Sequence, residues 1–196
     1  MQARAELLEA VNAWASVALP EYGGAYLTAG FKPNRRLLVV LAQAPGESTL
    51  KDMTKEYSLT FRAYEVPYWE EANAQSTTIG TGASSAAGAI LVGGSVRTPA
   101  NVTLRNISGA TINTATINIG GNIMSFSSLG LGANQSLVIT HTNKGILRIT
   151  AGSANAMSKR AATSADDFMI RPGSNGISFS AQRACQMTVS WRSRFL

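Results

Sequence analysis

Two residue types that often carry chemistry are almost absent from this sequence, which has one cysteine, Cys185, and one histidine, His141. A single cysteine excludes an intramolecular disulfide and any metal cluster built on several thiolates. A single histidine means that a nucleophile–histidine pair would depend entirely on His141. Acidic residues are also scarce after residue 71, where only Asp166 and Asp167 occur. The sequence therefore predicts no catalytic site, no cofactor and no metal site.

Long hydrophobic runs are missing as well. No apolar run approaches the roughly 20 residues that a membrane-spanning helix needs. Glu6 and Glu9 interrupt the apolar positions near the start, which argues against a secretory signal. The 196 residues leave room for one or two domains with a sizeable core. We therefore expect no membrane partner.

Positive charge is concentrated in the later part of the chain. The net charge of +6 divides into seven Lys/Arg against nine Asp/Glu in residues 1–71, and ten against two in residues 72–196. Such asymmetry is typical of proteins with an anionic partner, nucleic acid included. The basic residues are nevertheless scattered singly, apart from Lys159 and Arg160, and no stacking aromatics alternate with them. A solvated basic surface is the expected interpretation, with polyanion binding as the alternative.

Residues 2–16 have the periodicity of an amphipathic helix. Leu7, Val11 and Trp14 recur at spacings of four and three, which places them on one face. Pro20 prevents the helix from continuing far beyond this segment. An apolar stripe needs a surface to cover, so we take Leu7, Val11 and Trp14 as candidate subunit-interface residues.

The segments 25–29, 36–43 and 55–65 predict three strands beside this helix. Helix and strands together make a small α+β unit, which we assign to a first domain over residues 1–71. Its core would be thin, which indicates that preceding strands or neighbouring subunits complete it.

The first domain ends in an aromatic segment. Apolar and polar residues alternate from residue 56 to 63, as in a strand with one buried face, and the alternation ends before Pro67. Two large aromatics, Tyr68 and Trp69, follow directly. The composition changes abruptly after residue 71, so we assign Pro67, Tyr68 and Trp69 to the domain junction.

Residues 72–196 form the predicted second domain. Residues 72–100 are rich in Ala, Ser, Thr and Gly and favour a loose connection with one short strand at 89–92. About seven short strands follow at intervals of about ten residues, the rhythm of an antiparallel β-sandwich. Pro172 and Gly173 lie in a turn cluster before one of the last strands, so we give them a structural role like that of the junction residues.

Individual residues of the second domain offer little chemistry. His141 is expected on the surface at the end of a strand. Cys185 shares an alternating apolar face with its neighbours, which predicts a buried and inert thiol. Asp166 and Asp167 are adjacent, so in an extended chain they point to opposite sides and cannot act as a pair on one substrate. A loop or capping role is expected for both.

Three segments carry a further signal through their order and spacing. The first is the predicted helix, Ala5-Glu6-Leu7-Leu8-Glu9-Ala10-Val11-Asn12-Ala13-Trp14, followed by a hairpin around 36–42. The second is Tyr57-x-Leu59-x-Phe61-x-Ala63-Tyr64-x-Val66-Pro67-Tyr68-Trp69-Glu70, and the third is Asp167-Phe168-Met169-Ile170-Arg171-Pro172-Gly173-Ser174-Asn175. This arrangement resembles the distal tail proteins of long-tailed, non-contractile phages, and the likeness covers nearly the whole chain.

The resemblance implies a mainly β structural virion protein without catalysis. Residues 1–71 would match the second half of the family's N-terminal ring-forming domain, and residues 72–196 its C-terminal galectin-like β-sandwich. Family chains usually begin with strands ahead of the helix, so we expect a form that lacks them.

The family's mode of assembly supplies the expected partners. Its members form hexameric rings, the distal tail hub, which join the tail tube to the tail-tip protein and carry receptor-binding components. The implied partners are further copies of this chain, the tail tube protein, and tail-tip and receptor-binding proteins. Nucleic acid would be met only as the genome passing through the ring. The implied location is the virion tail tip, or baseplate, after assembly in the host cytoplasm.

A carbohydrate-binding β-sandwich module is the alternative function. Trp69, Trp191 and His141 are side chains that can contact a sugar. Such a module predicts saturable glycan binding that Trp→Ala substitutions abolish, and a bound glycan would raise the melting temperature.

Overall fold

A computed structural model describes residues 9, 13, 16, 18–49, 55–142 and 145–196 of the chain. The side chains of residues 22, 44–49 and 55–57 lie outside this description. The chain divides into two compact units, Met1–Trp69 and Glu70–Leu196. This boundary lies two residues before the one predicted from the sequence. The described residues are mainly β, which confirms the predicted fold class at that level.

The predicted helix over residues 2–16 falls largely outside the described residues. Glu9, Ala13 and Ser16 have helical backbone and are exposed, whereas Leu7, Val11 and Trp14 are not described. Elsewhere, the helical pieces of the described chain are the 3-10 turns Pro20–Tyr22 and Met157–Lys159. The predicted α+β character of the first unit is therefore not borne out, because what is described of it is dominated by antiparallel strands.

The first unit contains strands β1 (Ala25–Ala29), β2 (Lys32–Thr49) and β3 (Lys55–Ala63). Both β1 and β3 pair with β2 in antiparallel register. We expected β2 to stop before Pro45 and Gly46, but it continues through them. The register of β2 against β3 shifts between Gln43 and Gly46. A bulge leaves a residue out of the ladder, which is how a strand accommodates a proline that has no N–H to donate.

The second unit holds most of the strands. Strand β4 (Trp69–Glu71) includes the boundary between the two units, which lies between Trp69 and Glu70. The others are β5 (Gln75–Val92), β6 (Thr98–Pro99), β7 (Asn101–Asn106), β8 (Ala115–Ile119), β9 (Asn122–Phe126), β10 (Ser136–His141), β11 (Leu147–Ala151), β12 (Ala154–Asn155), β13 (Met169–Ile170), β14 (Gly173–Trp191) and β15 (Arg194–Phe195). Seven of them form the order β12-β11-β10-β7-β14-β8-β9, and β5 also pairs with β14.

Two long strands, β5 and β14, organise this sheet. In both cases the prediction from the sequence was wrong about the length of the strand. Residues 75–92, expected to be a loose connection, form the continuous strand β5. Residues 173–191, where the sequence predicted separate short strands, form one strand, β14. β5 runs antiparallel to β14 from end to end. A small residue is required at Gly80 of β5, because a side chain there would collide with the ring of Phe179.

The sheet curls around one hydrophobic core. β14 pairs with β8 through residues 177–181 and with β7 through residues 185–190. Alternate residues of both halves are buried, as a period of two requires. Both halves contribute side chains to one cluster that also includes the buried faces of β7, β8, β9 and β10. The predicted antiparallel sandwich is in this sense confirmed, with strands shared between its two layers.

A short ribbon lies beside this core. β6 and β13 form a separate two-stranded sheet in which Thr98 faces Ile170 and Pro99 faces Met169. Phe168, the residue before the ribbon's second strand, is fully buried. The N–H of Ala100 donates to the Phe168 carbonyl over 2.8 Å. The ribbon therefore anchors the chain around Phe168 in the interior.

Candidate interaction sites

The predicted junction residues lie at the end of the first unit. Pro67 is exposed, and Tyr68 and Trp69 are half-buried. The Trp69 ring meets Phe31 edge-on, with centroids 6.3 Å apart and an interplanar angle of 72°. The Lys32 ammonium lies 5.3 Å from the centre of the same ring. Trp69 is thus held by packing and a cation–π contact within its own unit.

The second unit ties its first residues to its last ones. Glu70 Oε1 accepts a hydrogen bond from Arg194 Nε at 3.0 Å, and both side chains are 12% exposed. Glu71 Oε2 accepts from the Ser193 N–H at 3.1 Å, and the Glu71 N–H donates to the Ser193 carbonyl at 3.0 Å. Arg192 Nη1 donates to the Glu71 carbonyl at 3.0 Å. We call these five residues the terminal clamp, with Glu70–Arg194 as its ion pair.

Pro172 and Gly173 lie in the turn that opens β14. Gly173 is the first residue of that strand and has a φ of 100°, a region that glycine adopts without strain. Asn175 fastens the turn, because its Nδ2 donates to the carbonyls of Arg171 at 2.8 Å and Gly173 at 3.0 Å. No observation here tests a junction role for Pro172 and Gly173, which stays a prediction.

This turn forms one wall of a polar cleft of about 430 Å³. The β8–β9 turn contributes Gly120 and Asn122 to the lining, and the ribbon side contributes Arg97 and Met169. The remaining lining residues are Arg171, Pro172, Ser174, Asn175 and Gly176. We call this space the arginine cleft. Both arginines are exposed, and none of the described residues around the cleft is acidic.

His141 is half-buried at the end of β10, and not fully on the surface as expected. Its Nε2 accepts from the Phe168 N–H at 3.4 Å. Its Nδ1 is buried and has no hydrogen-bond partner among the described residues. Burial lowers the pKa of His141, Arg194 lowers it further, and Asp167 opposes these effects. His141 is therefore a neutral packing residue near neutral pH.

Acidification below pH 6.5 is expected to destabilise the protein through His141. An unfolded histidine titrates near 6.5, and the folded pKa lies below that value. The unfolded state then binds more protons between the two pKa values, so the stabilising contribution is present above 6.5 and is lost as the pH falls through this window. Urea denaturation at pH 7.0 and pH 5.5 measures the loss.

The matched variant is His141→Gln, whose amide oxygen can still accept from the Phe168 N–H. It should show a smaller difference in unfolding free energy between the two pH values than the wild type. His141 is the only histidine, so no other imidazole titrates in this range. Equal pH dependence in both proteins would contradict the assignment.

The remaining residues with chemical potential have structural roles. Cys185 is fully buried, and burial raises the pKa of its thiol to about 11, which fits the predicted inert thiol. Asp167 Oδ1 accepts from the Met169 N–H at 3.0 Å, a local capping contact. Asp166 is exposed and forms an ion pair with the half-buried Arg160 at 3.5 Å.

The described residues hold neither a metal-ligand cluster nor a membrane-spanning helix. No group of three or more His, Cys, Asp or Glu side chains converges on a possible metal position within the described ranges. No helix in that part of the chain has the length and apolarity to cross a membrane.

The aromatic residues proposed for sugar binding do not form a platform. Trp191 is only 5% exposed, so it cannot present a ring face to a ligand. Trp69 belongs to the first unit, whereas Trp191 belongs to the second, and the Trp69 ring packs against Phe31. No described contact brings either ring to His141. The carbohydrate-binding alternative therefore gains no support from these three residues.

The described residues form a mainly β protein with curled antiparallel sheets, and this fold is similar to that of a phage protein of known structure. The structure is similar to the crystal structure of the SPP1 Dit (gp 19.1) protein, with a TM-score of 0.62 and 13% sequence identity. The match covers 87% of this chain and 65% of that chain, so this chain spans less than two thirds of its length. That protein is described as a paradigm of the hub adsorption apparatus in phages that infect Gram-positive bacteria.

Comparisons at the level of sequence add nothing to this likeness. No protein-family model matches the sequence, and no curated protein is significantly similar to it. At 13% identity, the likeness to the SPP1 protein is one of fold.

Proposed function

We propose that this protein is a structural component of a phage tail, and that it forms the distal tail hub. The observation that carries the proposal is the fold shared with the SPP1 Dit protein over 87% of this chain. The three ordered sequence segments point to the same family independently of the fold. The two signals differ in kind, because one rests on residues and spacing and the other on backbone geometry.

The architecture suits a protein whose work is assembly. A hub needs surfaces that complement its neighbours and a symmetric arrangement of copies. The first unit contributes paired strands around buried Leu38, Val39 and Val40. Neighbouring copies would extend this small core, and the predicted stripe of Leu7, Val11 and Trp14 is the proposed contact. In this proposal the second unit is a galectin-like sandwich that faces the receptor-binding components.

The native mass in solution tests the proposal. A hexameric ring of the 20.6-kDa chain has a mass of about 124 kDa. Light scattering after size exclusion, over a wide concentration range, should show this species or a ladder that leads to it. A strict monomer at every concentration, together with absence of the protein from purified tails, would overturn the proposal.

A pair of variants locates the interface. Leu7→Asn combined with Val11→Asn should shift the distribution toward monomer, because both changes place polar groups on the proposed contact. Glu9→Asn is the control on the same segment, since Glu9 is exposed. If both proteins keep the same mass distribution, the contact lies elsewhere. Antibody labelling of intact virions then places the protein at the tail tip or away from it.

A further inference from the structure

We propose that the arginine cleft binds a small hydrophilic oxyanion, a phosphate ester or a carboxylate, between the guanidinium groups of Arg97 and Arg171. This inference goes beyond the hub function and does not depend on it. It follows from where the fold places two cationic side chains that are far apart in the sequence.

The ribbon register sets the two arginines opposite each other. Thr98 pairs with Ile170 and Pro99 with Met169. Continued by one residue, this antiparallel register brings Arg97 across from Arg171, and both line the cleft. Like charges directly opposite on adjacent strands repel each other. The arrangement therefore has an electrostatic cost that a bound anion would remove.

No described acidic side chain of the second unit is bonded to either arginine. Within the described residues, neither guanidinium has an ion pair or a hydrogen bond. The acidic side chains of this unit are used elsewhere: Glu70 and Glu71 belong to the terminal clamp, Asp166 pairs with Arg160, and Asp167 caps the Met169 N–H. Some other arginines of the unit do have a side-chain partner, such as Arg105, which donates to Asn134 Oδ1. The two cleft arginines thus differ from these.

The backbone that carries Arg171 is held in place before any ligand arrives. Asn175 is 7% exposed, donates to the Arg171 carbonyl, and accepts from the Arg171 N–H at 3.4 Å. Asn122 Nδ2 donates to the carbonyl of Met169, two residues before Arg171, at 3.2 Å. The Gly120 N–H donates to the Gly176 carbonyl at 2.8 Å, which joins two of the cleft walls. A fixed backbone lowers the ordering cost of binding.

The size and chemistry of the cleft define the ligand class. Its volume of about 430 Å³ falls in the range of small-molecule sites. Glycine, serine and asparagine supply much of the rest of the lining, which favours a ligand with hydroxyl groups over an apolar one. Guanidinium groups bind phosphate and carboxylate through paired charge-assisted hydrogen bonds. A sugar-sized or polyol-sized molecule with an anionic group matches these features.

Calorimetric titration of the intact protein tests the site. The probes are glycerol 3-phosphate, inorganic phosphate and glucuronate, each at matched ionic strength, with sodium chloride as the blank. We expect saturable binding of at least one oxyanion. Binding of the two phosphates alone would identify a phosphate site, and binding of glucuronate as well would identify a general oxyanion site.

Substitutions at the cleft decide whether the arginines are responsible. Arg97→Gln and Arg171→Gln should each weaken binding at least about tenfold, the loss expected for a hydrogen bond to a charged group. Arg183→Gln is the control, because Arg183 is an exposed arginine of the same unit outside the cleft. Circular dichroism checks that every variant is folded. Absence of saturation with all probes, or equal affinities in the three variants, would overturn the proposal.

Discussion

Replacement of Phe168 by alanine is expected to lower the free energy of unfolding of the second unit by about 3–5 kcal/mol. Phe168 is fully buried and belongs to the central hydrophobic cluster. Its backbone is held on both sides, since its N–H donates to His141 and its carbonyl accepts from Ala100. The surroundings cannot easily collapse into the space left by the ring, so the cavity cost adds to the lost burial.

Urea denaturation followed by the fluorescence of Trp191 measures this loss. Trp14 and Trp69 are replaced by phenylalanine in all proteins compared, so that the signal comes from the second unit. Leu91→Ala is the control, because Leu91 is 74% exposed and its truncation creates no cavity. A cost for Phe168→Ala as small as that for Leu91→Ala would mean that the ribbon does not anchor the core.

Loss of the terminal clamp is expected to be nearly as severe. Glu70→Gln leaves the Arg194 guanidinium largely buried without its counter-charge, and breaking such a pair costs about 3–5 kcal/mol. The same measurement applies, with the same tryptophan background. Asp166→Asn is the matched control, since it removes an ion pair to Arg160 in which the aspartate side chain is 97% exposed. Exposed pairs contribute little to stability, so this control should unfold like the parent.

A double substitution separates the ion pair from simple packing. Glu70→Leu with Arg194→Met replaces both charges by apolar side chains of similar volume, a change that is often neutral. We expect the double variant to recover most of the stability lost in Glu70→Gln. If it is as unstable as the single variant, the clamp depends on the other contacts of these side chains and not on the uncompensated charge.

Local sequence pattern predicted much of the strand content. β1 lies at the predicted residues 25–29, and the alternation around Cys185 correctly indicated a strand with a buried face and an inert thiol. A strand's two faces follow from the pleat alone, so an apolar–polar period of two is visible without knowledge of the partner strand.

The sequence predicted the lengths of the strands less well than their positions. Residues 75–92 are mostly small, and the stretch 82–89 holds only Gly, Ala and Ser, which lack the branched and aromatic side chains that favour strands, so their sequence indicated a loose segment. They form β5 because β14 supplies hydrogen-bond partners along their length. In the same way, β2 passes through Pro45 because a bulge in its pairing with β3 absorbs the break.

The sequence by itself determined the mainly β class, the buried thiol, the scarcity of acids in the second unit and the aromatic segment before Glu70. The tertiary structure alone decided which charges meet. Glu70 and Arg194 are 124 positions apart and form an ion pair through the pairing of the unit's ends. Arg97 and Arg171 come together through the register of a two-stranded ribbon. Alternation is a property of each strand alone, whereas such convergence depends on the pairing of distant segments, which no local pattern specifies.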